Sequence, residues 1–348
     1  MKKQLLTSLF AFLLVFSLCM GCSKAETGDK TTASDSFEVS SQKTSPVKIT
    51  LNEVAHSVFY APLYVAIEKG YFKDENIDLT LVTGFGADKT MTAVISGEAD
   101  IGFMGSEASV YMYSEGASDY VVNFAQLTQR AGNFLVARQD NEHFQWADLK
   151  GKTVLGGRKG GMPEMVFEYI LKENGIDPEK DLTIIQNIDF GSTAPAFADG
   201  RGDFTIEFEP RATSLESEGK GHVIASLGKD SGYVPYTAFS AKKSYLKENP
   251  DVIQRFTNAL QKGMDYVRSH SPSETASVIK PQFPETTLEM ITTIVTRYYE
   301  QDTWKSNLIF EESSFDLLQD ILESAGELEK RAPYKDLITT EFAENAAK

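Results

Sequence analysis

The sequence predicts an α/β protein built from two similar lobes, each a mainly parallel sheet flanked by helices. Short apolar strands alternate with amphipathic helices in two consecutive series. The segment Gly97-Glu-Ala-Asp100 of the first series returns as Gly200-Arg-Gly-Asp203 in the second. About 300 residues follow the N-terminal region, which is enough for two lobes of ordinary size. Two such halves that face each other form a cleft.

The N-terminal region predicts an export signal. Two lysines precede an apolar run from Leu5 to Met20, and Gly21-Cys22 follows it. A basic start, an apolar run too short to span a bilayer comfortably and a small residue before the cut are typical of a signal peptide. We therefore predict a signal peptide over residues 1–21, with an N-terminal transmembrane anchor as the alternative. Residues 22–45 are polar and lack periodicity, which predicts a flexible tether.

Composition argues against several classes of function. The formal charge is −16, and an acidic surface disfavours binding to nucleic acid or to an anionic membrane surface. The two cysteines, Cys19 and Cys22, both lie near the N-terminus, so the folded part should contain no disulfide and no cysteine nucleophile. The four histidines are scattered without a metal or catalytic spacing. We therefore expect a protein that is not an enzyme and that holds no cofactor or metal.

The first lobe is organised around a β-α-β unit. Val47 to Leu51 predicts a strand, and the helix after it is marked by Pro62 in its first turn and by Gly70 at its end. The strand Ile77 to Val82 completes the unit. A helix that ends at Gly97 and a further strand continue the pattern. The loops after these strands should lie at the carboxyl edge of the sheet, where open α/β sheets bind ligands.

The second lobe repeats this pattern. The strand Thr153 to Leu155 precedes a glycine-rich turn, Gly156 to Gly161, and a helix opened by Pro163. A strand, the loop Asp189 to Ser192, a helix and the strand Asp203 to Phe208 follow. We predict lobe one over residues 46–137, lobe two over 138–239, and a return to lobe one with C-terminal helices over 240–348.

The candidate ligand-binding residues lie in the loops that should face the cleft. The glycine-rich turn lacks the Gly-Lys-Ser/Thr ending of a nucleotide loop, but it offers free backbone N–H groups at a helix N-terminus. The predicted site consists of His56, Phe59, Tyr60, Phe85, Ser106 and Glu107 from lobe one, and of Arg158, Lys159, Gly160, Gly161, Phe190, Gly191, Ser192, Glu207 and Glu209 from lobe two.

Several of these residues have structural alternatives. Tyr60 could fasten the start of the first helix onto the core. Glu107 in the first turn of a helix would stabilise the positive end of the helix dipole without any ligand. Glu207 and Glu209 alternate with apolar residues, so their face of the strand should look either into the cleft or into solvent.

Four segments carry a family resemblance: Tyr60-Ala-Pro-Leu-Tyr-Val-Ala-Ile-Glu-Lys-Gly-Tyr-Phe72, Ser96-Gly-Glu-Ala-Asp-Ile-Gly-Phe103, Leu149-Lys-Gly-Lys-Thr-Val154 and Glu209-Pro210. They resemble the solute-binding proteins of ABC importers, in particular the group for sulfonates, nitrate and thiamine precursors. The similarity covers about residues 47–330.

The resemblance implies a periplasmic-binding-protein fold of type II and a delivery role. The two lobes would close over a small molecule, with hinge crossings near residues 137–139 and 239–241. The partners would be an ABC permease and its ATPase, and the chain itself would be a monomer. Gly21-Cys22 resembles a lipoprotein signal, which implies that Cys22 bears a lipid and anchors the exported protein to the outer face of the bacterial cytoplasmic membrane.

The resemblance leaves the ligand open. Tyr60 stands where related pyrimidine synthases and many thiamine-precursor binders carry a histidine, which disfavours both. The turn Lys159-Gly-Gly-Met-Pro163 lacks the hydroxyl groups common in sulfonate binders. Aromatic rings and carboxylates in the predicted site favour a small aromatic, heterocyclic or amine-bearing compound. A sulfonate such as taurine, or nitrate, is the main alternative. A pyrimidine-synthase-like enzyme and a sensory lipoprotein are further ones.

Overall fold

The computed structural model describes residues 45–189 and 191–348. The predicted signal peptide, Cys22 and nearly all of the predicted tether lie outside these ranges, as does Phe190. Within the described ranges, no helix has the length and apolar character needed to cross a bilayer.

The strands of the described ranges are β1 (Val47–Glu53), β2 (Ile77–Thr83), β3 (Ile101–Gly105), β4 (Val121–Thr128), β5 (Asn133–Ala137), β6 (Thr153–Leu155), β7 (Thr183–Ile185), β8 (Phe204–Phe208), β9 (His222–Ser226) and β10 (Thr237–Lys242).

The α-helices are α1 (Ala61–Glu68), α2 (Tyr71–Asp74), α3 (Ala87–Ser96), α4 (Glu107–Ser114), α5 (Met162–Glu173), α6 (Thr193–Ala198), α7 (Arg211–Ser217), α8 (Leu227–Asp230), α9 (Lys243–Glu248), α10 (Pro250–Ser269), α11 (Pro272–Ile279), α12 (Leu288–Glu300), α13 (Glu312–Ser324), α14 (Tyr334–Leu337) and α15 (Glu341–Ala346). Short 3₁₀ helices span Val58–Tyr60, Trp146–Leu149 and Lys280–Gln282.

The strands form two sheets with the same internal order. The first sheet runs β2-β1-β3-β10-β4 and the second runs β7-β6-β8-β5-β9. In the first, β1 pairs in parallel with β2 and β3, while β10 is antiparallel to β3 and β4. In the second, β6 pairs in parallel with β7 and β8, while β5 is antiparallel to β8 and β9. The predicted pair of mainly parallel lobes is therefore confirmed.

The chain crosses between the lobes at other places than the sequence predicts. β5 belongs to the second sheet and β10 to the first, so the crossings span residues 129–132 and 227–236. The predicted boundary at residue 137 lies at the end of β5, and the one at residue 239 lies inside β10. Each lobe thus receives its antiparallel strand immediately after a crossing. The sequence of an apolar strand does not indicate which sheet the strand joins. Both lobe boundaries are therefore predicted a few residues too late.

The repeated Gly-x-x-Asp segment performs the same structural task in each lobe. A side-chain oxygen of Asp100 accepts a hydrogen bond from the backbone N–H of Thr50, and Asp203 does the same for Thr153, both at 2.8 Å. The preceding glycines, Gly97 and Gly200, have φ values of +81° and +99°, which favour glycine. The predicted correspondence between the two segments is therefore confirmed, and it includes an equivalent hydrogen bond in each lobe.

The C-terminal helices contact both lobes. α10 packs against α1 so closely that a Cβ on Gly263 would lie 2.2 Å from the carbonyl oxygen of Pro62. α13 packs against α5 of lobe two, and Lys172 of α5 donates a hydrogen bond to the carbonyl oxygen of Ser324. The sequence predicts these helices for lobe one and the outer surface. It does not predict their contact with lobe two.

Candidate ligand site between the lobes

A cavity of about 120 Å³ lies between the two lobes, a volume on the scale of one small organic molecule. Lobe one contributes the loops that follow β1, β2 and β3, and lobe two contributes those that follow β6 and β7 together with part of β8. The cavity thus lies at the carboxyl ends of parallel strands in both sheets, as the sequence predicts for the ligand site.

Aromatic side chains form much of the cavity wall. Tyr60 and Tyr236 are each only 2% exposed, and Phe208 is also buried. The Tyr60 ring packs edge-on against Phe103, with 4.4 Å between the ring centroids, so this wall is held by the core of lobe one. Phe85 lines the cavity at its outer side, where it is 65% exposed. Its φ of +58° is uncommon for a residue other than glycine.

Glu107 brings a carboxylate into this wall. The residue begins α4, is 3% exposed, and has one carboxylate oxygen, Oε2, without a hydrogen-bond partner among the described residues. A Cβ on Gly105 would lie 2.0 Å from that oxygen, so a glycine is needed at this position. Burial raises the pKa of Glu107 to about 7, while the backbone N–H groups of Glu107 and Met162 and the charge of Arg158 act to lower it.

Polar contacts join the lobes around the cavity. Asp88 of lobe one forms an ion pair with Arg158 of lobe two at 2.9 Å, and both side chains are about half exposed. The Tyr111 hydroxyl donates to the carbonyl oxygen of Gly160 at 3.0 Å. On another side, the Ser57 hydroxyl donates to the carbonyl oxygen of Glu209 at 2.6 Å. The lobes are therefore in contact in this structure, and the cavity lies between them.

Comparison with known proteins identifies the family. Residues 58–274 match the family model described as "NMT1/THI5 like". The chain belongs to the NMT1/THI5-like family. A relative in Bacillus subtilis (strain 168), named "Putative binding protein YtlA", is 49% identical over 303 residues, which cover 87% of this chain and 91% of the relative.

Two further comparisons give a more distant relative of this NMT1/THI5-like chain and a solved structure with a similar fold. The 4-amino-5-hydroxymethyl-2-methylpyrimidine phosphate synthase of Candida albicans (strain WO-1) is 24% identical over 228 residues, 61% of this chain and 64% of the synthase. The alkanesulfonate-binding protein SsuA from Xanthomonas axonopodis pv. citri, solved with bound MOPS, has a TM-score of 0.69 at 15% identity. That match covers 85% of this chain and 99% of SsuA, and it shows a common fold.

Five residues of the predicted site lie on the cavity wall of this NMT1/THI5-like protein: Tyr60, Phe85, Glu107, Arg158 and Gly161. Their contact with a solute stays a prediction. The sequence did not single out other wall residues, which include Val54, Ala55, Asp88, Met162, Thr193, Ile206, Phe208, Tyr236 and Thr237. Most of these lie next to predicted loops and could have been found by extending each loop into the adjoining helix or strand.

Other predicted residues lie outside the wall. Phe59 is fully buried and packs against Gly132 of the first crossing, where a Cβ would lie 2.7 Å from its ring. The Ser106 hydroxyl donates to the carbonyl oxygen of Pro235 at 2.5 Å. Lys159 and Gly160 lie beside a neighbouring groove with Glu327. Gly191 and Ser192 are exposed near the start of α6.

Glu207 and Glu209 also lie away from the cavity, because β8 presents the opposite face to it. Ile206 and Phe208 line the cavity instead. Glu209 accepts hydrogen bonds from Arg297 at 2.8 Å and from Thr213 at 2.9 Å. The Thr205 hydroxyl donates to Glu207 at 2.6 Å, and burial raises the pKa of Glu207 to about 7. The expected hydrogen bonds from ligand N–H groups to Glu207 and Glu209 therefore have no geometric support.

His56 belongs to a partly buried cluster around Glu53, not to the cavity wall. Its Nδ1 lies 2.8 Å from the carboxylate of Glu53 and its Nε2 lies 2.8 Å from the carbonyl oxygen of Gln282. Both partners only accept hydrogen bonds when Glu53 is ionised, so the geometry fits a doubly protonated ring. Burial lowers the pKa of His56, but these two hydrogen bonds together raise it above its ordinary value. Tyr64 and Thr83 donate to Glu53 at 2.7 and 2.9 Å.

Proposed function

We propose that this chain is the solute-binding component of an ABC importer and that it captures a small organic molecule between its lobes. The cavity at the facing carboxyl edges of the two sheets carries this proposal. The relationship to YtlA, which is named as a binding protein, supports it. The aromatic wall formed by Tyr60, Phe208 and Tyr236 suits a planar group in the solute, since aromatic faces and edges pack favourably against rings.

An enzymatic role has less support. Tyr60 stands where the resemblance to pyrimidine synthases would place a histidine, and His56 is engaged by Glu53 and Gln282 away from the cavity. Among the described residues, no group of histidine, cysteine, aspartate and glutamate side chains could hold a metal ion. Turnover of a pyridoxal compound by the purified protein would favour the synthase over the receptor.

The solute-binding cycle would consist of opening and closing about the two crossings. Each crossing is short, residues 129–132 and 227–236, so rotation there would separate the lobes without disturbing either sheet. The contacts of Asp88 with Arg158 and of Tyr111 with Gly160 would form on closure. In small-angle scattering, addition of a bound solute should therefore reduce the radius of gyration. An unchanged radius would count against this cycle.

Export and lipid anchoring complete the proposed role. The basic start, the apolar run and Gly21-Cys22 support cleavage before Cys22 and lipid attachment there. A Cys22→Ser variant should be released from the membrane and appear in the soluble fraction. Retention of this variant on membranes after a salt wash would contradict the anchor, but it would leave the solute-binding role untouched.

Identification of a bound solute would decide whether the chain is a receptor. Native mass spectrometry of the protein purified from its own host should show a bound small molecule, and titration calorimetry with that molecule should then give a stoichiometry of about one per chain. A chain that carries no solute and binds no member of a nutrient library would argue against a receptor.

A further inference from the structure

Glu107 places a carboxylate on the cavity wall, where its charge would act on a bound solute. Its side chain lines the cavity at 3% exposure, and Oε2 has no hydrogen-bond partner among the described residues. A buried acceptor without a donor is unfavourable, and more so when it is charged. A solute that presents an N–H group to the Glu107 carboxylate would reduce that penalty on binding.

The same carboxylate disfavours an anion in the cavity. The N-termini of α4 and α5 both face the cavity, and helix N-termini attract negative charge. Here the backbone N–H groups of Glu107 and Met162 already act on the Glu107 carboxylate and lower its pKa against the effect of burial. The chain's own carboxylate thus lies beside these helix N-termini, at the place that an external anion would need. An anion beside it would meet a like charge in a largely enclosed space.

The positive groups on the wall offset this charge only in part. Arg158 and Lys89 lie at the exposed outer side of the cavity, and Arg158 is already paired with Asp88 at 2.9 Å. Exposed charges are screened by water and salt, whereas a buried charge is screened much less. The buried part of the wall therefore combines one carboxylate with aromatic surfaces.

We propose that Glu107 determines specificity by selecting solutes with a protonated nitrogen, such as an amidinium or ammonium group, next to a planar apolar group, and by excluding sulfonates and nitrate. This inference rests on the proposed solute-binding function. It assigns the charged group to the carboxylate of Glu107, and the planar part to the surface formed by Tyr60, Phe208 and Tyr236.

The test compares two probes that share a benzene ring and differ in charge. Benzamidine carries a planar cation and benzenesulfonate an anion. Titration calorimetry at pH 8 on the purified full chain should show benzamidine binding and benzenesulfonate at least about 100-fold weaker. Glu107→Gln should weaken benzamidine binding by roughly 10- to 150-fold, the range expected for loss of a charged hydrogen bond. The control Glu115→Gln, exposed at the other end of α4, should bind like wild type.

Equal affinity of the wild-type protein for the two probes overturns the inference, and so does binding of neither. Unchanged benzamidine binding by a folded Glu107→Gln variant overturns it as well. Should that variant fail to fold, the two probes on the wild-type protein decide alone. The solute that co-purifies keeps the two proposals apart: an anionic solute would remove the role of Glu107 and leave the receptor, whereas an empty, unresponsive protein would remove the receptor.

Discussion

Cation binding in the cavity should depend on pH near neutrality, because Glu107 has to be ionised to accept a cation. Burial raises the pKa of this carboxyl to about 7. The charged group that acts on it is Arg158, which stays protonated across the range. The nearby phenols of Tyr60, Tyr111 and Tyr236 stay neutral there, because burial raises their pKa values further. Glu107 is therefore the group expected to titrate.

The magnitude follows from this pKa. Below pH 7, a bound cation must displace the proton of Glu107, so the affinity should fall about tenfold for each pH unit, or ~1.4 kcal/mol. Between pH 8.5 and pH 5.5 the dissociation constant of benzamidine should thus rise about 30-fold, with most of the change below pH 7. Benzamidine itself stays protonated over that range. Titration calorimetry in two buffers of different ionisation enthalpy should also detect proton release near pH 6.

A matched variant separates Glu107 from the other buried carboxyls. Glu107→Gln should bind benzamidine weakly and with a flat pH profile. Thermal stability alone would not suffice, because burial also raises the pKa values of Glu207 to about 7 and Glu164 to about 8. All three groups favour the folded state at low pH and lose that contribution as the pH rises from about 4.5 through the raised values. A flat wild-type binding profile, or one that weakens above pH 7, would refute the assignment.

Three other predictions follow from contacts outside the cavity. Gly228→Ala should destabilise the protein by about 1–3 kcal/mol in urea unfolding, since a Cβ would lie 2.3 Å from the carbonyl oxygen of Ala131 in the other crossing; an unchanged midpoint would contradict this packing. His56 has a pKa raised above 6.5, so its stabilisation is complete below pH 6.5 and is lost as the pH rises through the folded-state value. The difference in melting temperature between wild type and His56→Gln should accordingly shrink at alkaline pH, and a growing difference would reverse the assignment. Arg158→Ala should change solute affinity less than about fivefold, since its ion pair with Asp88 is half exposed; a larger loss would show direct contact with the solute.

The alternation of strands and helices was sufficient to predict the two lobes, because a parallel strand must be followed by a crossover. The Asp100 and Asp203 segments could be matched by sequence since the same hydrogen bond is made in both lobes. The assignment of β5 and β10 to their sheets could not be predicted. Both strands are almost wholly buried, and the choice of sheet depends on tertiary packing that strand periodicity does not encode.

The site shows the same division between local and tertiary information. The positions of Tyr60 and Glu107 on the cavity wall could be predicted because topology sets which loops lie at the carboxyl ends of strands. The face of β8 was predicted wrongly, because alternation indicates orientation only where one face is exposed. Residues Thr205 to Phe208 are all buried, so polar and apolar side chains alternate without marking an inside and an outside. Glu209 accepts a hydrogen bond from Arg297, which is 88 positions away in the chain. A pattern of neighbouring residues cannot predict such a distant partner.

The two crossings and the cavity share contacts, which under the proposed cycle would couple occupancy of the cavity to lobe orientation. Tyr236 lines the cavity at the end of the second crossing, and its hydroxyl donates to Asn133 at 2.5 Å, immediately after the first crossing. Phe59 packs against Gly132 in the first crossing and against the ring of Tyr236, with 5.7 Å between ring centroids. Because packed side chains of this kind adopt few alternative arrangements, a solute in contact with Tyr236 would act on both crossings at once. Closure would then depend on the shape of the solute against Tyr236 as well as on its charge at Glu107.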